Sequence, residues 1–353
     1  MLESVPEHIL VAAVGLFGGV LLGLAARLGR FCTLGAIEDV LYGGSDTRLR
    51  MWGIAIGTAI IGSFSLMGAG LIEAGNTYYL SIAWLPWASV VGGLMFGYGM
   101  ALAGNCGFGA VARLGGGDLR SFVIVLVMGV STYVVLNGPL APVRDMLFPQ
   151  SPVLPGDVPP GIAHATAHWT GLSSTAIGLS IGLALTVISA SSRSFLDKPK
   201  AILWSIVVGI AIISGWAGTS WVANTGFEAV PVVSHSFAAP LGESIMWWMM
   251  GSAQPISFAV GSVAGVWFGA FIGSLIKGHF RWEACEDPRE LRRQIFGAAL
   301  MGAGAVIALG CTVGQGISAF SMLAFSAPVT FIAIFAGASF GLRQLIVGFS
   351  PAE

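Results

Sequence analysis

Three of the four cysteines, Cys32, Cys106 and Cys311, occupy the same short sequence frame. Residues 97–109 read GYGMALAGNCGFG and residues 302–314 read GAGAVIALGCTVG, so both fit G-x-G-x6-C-x2-G. Residues 23–35, GLAARLGRFCTLG, fit the same frame with Ala25 in place of the second glycine. A thiol is a weak hydrogen-bonding group, and a lone buried cysteine usually serves as a small apolar side chain. Three copies of one frame favour a functional role for these thiols.

The frame also predicts the local backbone. Closely spaced glycines near a helix end let another helix approach, and the glycine three residues after each cysteine lets the chain turn into a new short helix. The cysteine then lies near the first turn of that helix, where free N–H groups and the helix dipole attract anions. We therefore expect an anion-binding site, and its candidate residues are Cys32, Cys106, Cys311, Gly107, Gly109, Thr312 and Gly314.

Two polar residues beside these cysteines have two interpretations each. Asn105 and Gln315 either orient the oxygens of a bound ion or make helix caps and interhelical hydrogen bonds. Cys285 lies in the charged segment RWEACEDPRE, outside the frame, and is interpreted as an ordinary loop residue. The sequence has no CxxC pair and no histidine close to the three motifs. It therefore predicts no metal site, no cofactor and no catalytic residue.

Membrane helices must position these residues. Of 353 residues, 55% are hydrophobic and only 9% are charged, whereas soluble domains carry about 25% charged residues. A membrane span needs about 20 apolar residues. Hydropathy predicts nine spans, near residues 9–28, 51–72, 83–103, 120–138, 172–190, 201–217, 256–276, 294–310 and 327–345. The formal net charge of −1 argues against a nucleic-acid partner.

The positions of Lys and Arg predict how these spans are oriented. With the N-terminus outside and the C-terminus in the cytoplasm, every Lys and Arg except Arg144 falls on the cytoplasmic side. This is the distribution that the positive-inside rule requires. Arg144 lies in the Pro-rich segment Pro139–Pro160, which is predicted to be external.

Four further stretches are too short to span a bilayer. They lie near residues 32–42, 106–114, 240–250 and 311–323, and we interpret them as re-entrant half-helices. Cys106 ends a span predicted to run inward and Cys311 ends one predicted to run outward, so the two elements are inverted. The counterpart of the first span is predicted to end near Ser214–Gly218, where there is no cysteine.

The expected fold class is therefore an all-α polytopic membrane protein with an inverted pseudo-twofold repeat and short re-entrant half-helices. Residues 1–353 form a single membrane domain. Its first inverted half is 9–138, its external Pro-rich loop and linking helix are 139–200, and its second inverted half is 201–345.

The motifs resemble those of the YeeE/YedE family of sulfur-compound transporters. The segments GRFCTLGA, GNCGFGAVARLGGGD, LGCTVGQGIS and APLG at Ala239–Gly242 carry the resemblance, together with the nine-span layout. It implies a transporter rather than an enzyme, which takes up thiosulfate, a small sulfur oxyanion, across the bacterial inner membrane. It also implies that Cys32, Cys106 and Cys311 line a narrow path. A small cytoplasmic sulfur-carrier protein is a possible partner besides the lipid bilayer.

A mechanism follows as an expectation. The terminal sulfur of the ion accepts weak S–H hydrogen bonds while its oxygens accept backbone N–H bonds, because fixed cations along the path would trap a dianion. The expected order is Cys311 outermost, Cys106 central and Cys32 innermost. Arg30 and Arg113, near the inner mouth, either receive the ion or anchor helix ends.

Two alternatives remain open at this point. One is a membrane thiol enzyme, either a sulfurtransferase or a thiol–disulfide carrier. The other is a transporter of a different sulfur or selenium anion.

Overall fold

Helices account for nearly all of the regular structure, as the apolar composition requires. The structure, a computed structural model, describes residues 6–154, 156–284 and 287–347. Cys285 lies outside these residues. The helices are α1 Glu7–Leu28, α2 Thr33–Leu41, α3 Thr47–Gly68, α4 Pro86–Ala103, α5 Gly107–Leu114, α6 Leu119–Leu136, α7 Ala141–Leu147, α8 Ile162–Thr170, α9 Ser174–Ala190, α10 Arg193–Leu196, α11 Pro199–Thr225, α12 Ala239–Met250, α13 Phe258–Lys277, α14 Pro288–Ile307 and α15 Ser326–Val347. The described residues contain isolated β-bridges but no β-strand.

Every predicted span coincides with a helix, although the lengths differ. Seven segments of the described chain are long and apolar enough to cross a membrane, and they contain α1, α3, α4, α6, α11, α13 and α15. The helix α9 has only 17 residues, and α14 begins with the charged sequence PRELRR. Nine crossings therefore remain a prediction. The prediction that the sixth span ends near Ser214–Gly218 is wrong, because α11 continues to Thr225.

Short helices follow three long ones at the predicted places. The helices α2, α5 and α12 lie within the stretches expected to be re-entrant. After Cys311 the chain is helical again, and its turn Gly314–Ala319 is a π-helix. A π-helical turn widens the helix locally and is frequent at functional sites. The depth of these short helices in a bilayer stays a prediction.

The long helices pack through glycine faces. The helix α1 packs against α13, and α4 packs against both α14 and α15. A Cβ atom on Gly19 of α1 would lie 3.0 Å from the Cα of Gly265 and 3.0 Å from the nitrogen of Val266. The glycines Gly99 and Gly297 bring α4 and α14 together in the same way. Small residues therefore let these backbones touch, as membrane helices do when lipid provides no hydrophobic drive.

Residues 7–136 and residues 199–347 have the same series of helices and matching contacts between helices. Residues 7–136 contain a long, short, long, long, short, long series of helices, and residues 199–347 contain the same series if the short helix around Gly314–Ala319 is counted. If α1 corresponds to α11 and the order is kept, the contact of α1 with α13 has its mirror image in the contact of α11 with α3. The contact of α4 with α15 is likewise mirrored by that of α14 with α6.

The Pro-rich segment 139–160 has helical structure and defined contacts where it is described. The helices α7 and α8 lie in or beside it, and Pro152 forms an antiparallel bridge with Ile82. The backbone N–H of Ala83 donates to the carbonyl of Ser151 over 2.8 Å. The Pro-rich segment thus packs against the segment between α3 and α4.

Candidate functional site

A left-handed residue ends the long helix before each cysteine. Arg30, Gly104 and Leu309 have φ values of 55°, 73° and 58°, and each lies two residues before its cysteine. A non-glycine residue in this region costs about 1–2 kcal/mol, so two of these three turns carry strain. The prediction that the glycine after the cysteine makes this turn is wrong, since the left-handed residue that turns the backbone comes before the cysteine.

Each cysteine sulfur is the N-cap of the short helix that follows. The N–H of Gly35 donates to Cys32 Sγ over 3.5 Å, that of Gly109 to Cys106 Sγ over 3.4 Å, and that of Gly314 to Cys311 Sγ over 3.4 Å. Side-chain acceptors at this position satisfy N–H groups that the helix itself leaves unpaired. Because the sulfur accepts here, the S–H proton remains available for another acceptor.

The glycine in each Cys-x-x-Gly leaves room for a polar group beside the sulfur. A Cβ atom on Gly314 would lie 2.6 Å from Ser236 Oγ and 2.8 Å from the Tyr79 hydroxyl. On Gly109 it would lie 3.1 Å from Asn105 Oδ1, and on Gly35 it would collide with Nη1 of Arg48. Each thiol therefore has a hydrogen-bonding side chain next to its capping glycine.

Cys311 has the most enclosed environment of the three. Its side chain is fully buried, and its sulfur also accepts from the Phe237 N–H over 3.1 Å. Ser236 Oγ lies 3.7 Å from the same sulfur. Cys106 is buried as well, with both other thiols within electrostatic range, whereas Cys32 is half-buried.

Two cavities approach this series of thiols from opposite ends of α1. Cavity 1, about 480 Å³, lies near the amino end of α1 and is lined by Tyr79, Ser236 and Gly310 among others. Cavity 2, about 370 Å³, lies near the carboxyl end of α1 and is lined by Cys32, Asn105, Gly109 and a group of cationic side chains. Cavity 1 thus reaches the neighbours of Cys311, and cavity 2 reaches Cys32 and the capping glycine of Cys106.

The side-chain amides of Asn105 and Gln315, which flank two of the cysteines, have different surroundings. Gln315 is buried and its Nε2 donates to the carbonyls of Ala308 and Leu309 over 2.8 and 3.3 Å, while its Oε1 accepts from Ser326. Its amide is therefore used to cap α14, which is the structural alternative for this residue. Asn105 instead lines cavity 2. Gly107 is buried in the first turn of α5, where a Cβ would collide with the carbonyl oxygen of Phe237.

Two threonines that follow cysteines carry unsatisfied hydroxyls. Thr33 and Thr312 are buried, and neither hydroxyl has a hydrogen-bond partner among the described residues. The Thr312 hydroxyl faces the Cys106 thiol. Buried polar groups are nearly always paired, so such exceptions are candidates for contact with a ligand.

Several residues of this site are not among those that the sequence predicts. Thr33 was detectable from the Cys-Thr pair that occurs at both 32–33 and 311–312. Tyr79, Ser236 and Arg48 have no local motif, and the backbone N–H of Phe237 has no sequence signal. They come from segments distant in the chain, so only folding brings them to the cysteines.

Comparison with known proteins identifies the family of the chain. The Sulphur transport family matches residues 28–340. The thiosulfate transporter TsuA of Escherichia coli (strain K12) is 26% identical over 334 residues, which cover 88% of this chain and 87% of that protein. The thiosulfate transporter TsuA of Spirochaeta thermophila is 24% identical over 319 residues, which cover 88% of this chain and 92% of that protein. With the family profile matching most of its length, this multi-pass membrane protein belongs to the Sulphur transport family.

Proposed function

We propose that the chain takes up thiosulfate along a path formed by Cys311, Cys106 and Cys32. One observation carries the proposal: two cavities at opposite ends of α1 converge on three cysteines that share one geometry. Both similar proteins described above are named thiosulfate transporters. With the N-terminus outside, cavity 1 faces the exterior and cavity 2 faces the cytoplasm.

Neutral hydrogen-bond donors suit the buried part of this path. Cys106 and Cys311 are buried and neither lines a cavity, so the ion passes only when neighbouring groups move apart. A dianion in a dry environment needs hydrogen bonds to offset its desolvation. S–H groups, the Thr312 hydroxyl and backbone N–H groups supply weak attraction without a full charge, which permits release.

The two halves play related roles in this proposal. The mirrored contacts between helices support an inverted repeat in which the short helices around Cys106 and Cys311 meet from opposite sides. Such repeats place a substrate site between the halves near the bilayer midplane. The proposed inverted halves are 9–138 and 201–345, with 139–200 between them.

Uptake of labelled thiosulfate into proteoliposomes tests the function. We expect uptake that unlabelled thiosulfate abolishes and that sulfate inhibits less, because sulfate lacks the terminal sulfur that a thiol recognises. Preferential uptake of sulfite or selenite would identify a different anion as the substrate.

A Thr312→Val substitution is expected to lower uptake about threefold to tenfold without destabilising the protein. Apart from its approach to the Cys106 thiol, the hydroxyl has no partner among the described residues, so its removal forfeits at most a weak intramolecular hydrogen bond and leaves the volume nearly unchanged. The midpoint of thermal unfolding reports stability, and the initial rate reports transport. Thr330→Val is the matched control, since Thr330 is also buried with an unpartnered hydroxyl but lies on α15 and follows no cysteine. Equal uptake by both variants would argue against contact between Thr312 and the ion.

A Tyr79→Phe substitution is expected to raise the KM for thiosulfate by about fivefold, because one hydrogen bond contributes about 1 kcal/mol. The Tyr79 hydroxyl lies between cavity 1 and the capping glycine of Cys311, where an entering ion meets it first. Tyr78→Phe is the control, because Tyr78 lines the same cavity without approaching Gly314. A KM that is unchanged in Tyr79→Phe would remove this hydroxyl from the entry site.

A further inference from the structure

Cavity 2 is lined by several positively charged side chains, whereas the thiol path proposed above relies on neutral hydrogen-bond donors. Five cationic side chains line it: Arg27, Arg30, Arg48, Arg113 and Lys277. Among its lining residues within the described chain, Glu38 is the only carboxylate. These cations come from α1, the turn after α1, α3, α5 and α13, so the fold collects them from five places.

Most of this charge makes no direct ion pair with any residue that the structure describes. Arg48 pairs with Asp39 at 3.2 Å. Within the described residues, Arg27, Arg30, Arg113 and Lys277 have no carboxylate within 4.0 Å, and Arg27 Nε is buried without a hydrogen-bond partner. Burial lowers the pKa of Lys277, and Arg30, Arg27 and Lys200 lower it further by repulsion. A bound anion would relieve this repulsion.

Arg48 connects the charge to the last thiol of the path. Its guanidinium occupies the space that the missing side chain of Gly35 leaves, and the N–H of Gly35 donates to Cys32 Sγ. Its Nε is directed to Asp39, and its Nη1 lies over Gly35. A guanidinium presents several N–H donors in a fixed plane, which matches the oxygens of an oxyanion.

We propose that cavity 2 is a binding site for small divalent oxyanions, sulfate as well as thiosulfate, held by Arg48, Arg113 and their cationic neighbours. This site recognises the negative charge and the oxygen atoms of the ion, whereas the thiols of the path recognise the terminal sulfur of thiosulfate. Its place as the exit of the path rests on the proposed function, but anion binding itself does not. Sulfate that enters from the cavity 2 side therefore occupies the exit and slows thiosulfate uptake.

Protection of Cys32 from alkylation measures occupancy directly. The full chain is placed in nanodiscs of zwitterionic lipid, so that no anionic headgroup competes and both faces are accessible. A neutral maleimide is added, and modification of the Cys32 peptide is followed by mass spectrometry. Sodium sulfate is compared with sodium chloride at equal ionic strength, because screening alone affects exposed charges equally.

We expect sulfate to slow the modification of Cys32 about tenfold when its concentration is about ten times its dissociation constant, since only the unoccupied fraction reacts. The variant Arg48→Gln with Arg113→Gln should lose this protection. The variant Arg48→Lys keeps the charge and should retain part of the protection. It therefore controls for a loss of protection that is due to misfolding. Arg293→Gln is the matched control, because Arg293 is exposed on α14 and does not line the cavity.

The outcomes separate this proposal from the proposed function. Equal rates in sulfate and chloride would overturn the oxyanion site even if the protein takes up thiosulfate. Protection that survives Arg48→Gln with Arg113→Gln would overturn it as well. Protection that these substitutions remove supports the site even if thiosulfate uptake is not observed.

Discussion

Thiosulfate uptake by a Cys106→Ala variant is expected to fall by about tenfold or more, since a loss of about 1.4 kcal/mol at the barrier is a factor of ten in rate. Cys106 is 1% exposed and has both other thiols within electrostatic range, so in the proposed path its replacement leaves a step without an S–H donor. The variant should still fold, because losing an N-cap costs about 1 kcal/mol. The measurement is the initial rate of labelled uptake per amount of folded protein.

Two further variants make the result specific. Cys285→Ala removes a thiol outside the repeated frame and should leave uptake unchanged. Cys106→Ser keeps a hydrogen-bond donor but removes the sulfur nucleophile. Partial uptake by Cys106→Ser, with no sulfur adduct detected by mass analysis of the unaltered protein, is expected for hydrogen-bonded conduction. Normal uptake by Cys106→Ala would show that the thiol has no part in the path.

Replacing Gly19 by alanine is expected to cost about 3 kcal/mol of unfolding free energy, at the upper end of what overpacking usually costs. The added Cβ would lie 3.0 Å from both the Cα of Gly265 and the nitrogen of Val266, and backbone atoms cannot rotate away as a flexible side chain does. The helix α1 would have to move away from α13, against which it packs. Thermal unfolding of the purified protein measures the loss.

Gly75 supplies the control for this prediction. A Cβ at Gly75 would meet no atom within 4 Å, and its backbone has no positive φ. Gly75→Ala should therefore unfold at nearly the temperature of the unaltered protein. If Gly19→Ala and Gly75→Ala are equally stable, the close contact between α1 and α13 does not limit stability.

The membrane class and the repeated cysteine frame follow from local sequence. Apolar stretches must become helices in lipid because each backbone N–H and C=O has to be paired within the segment. The same local logic placed Cys32, Cys106 and Cys311 at the starts of short helices, and the sulfur–glycine hydrogen bonds agree with it. It misplaced the turn, because Arg30 and Leu309 adopt a left-handed conformation that their residue types disfavour.

The sequence by itself therefore determines that the chain lies in lipid, where its helices form and which thiols begin short helices. These features depend on composition and on spacings within about ten residues. Only the tertiary structure decided what each thiol faces. Ser236 and Tyr79 lie beside Cys311, and Arg48 lies over the glycine that caps Cys32. The sequence predicts Arg30 and Arg113 near the inner mouth, and the fold adds three further cations to them around cavity 2. Side chains from distant helices come into contact only when those helices pack together, and glycine faces allow this close packing.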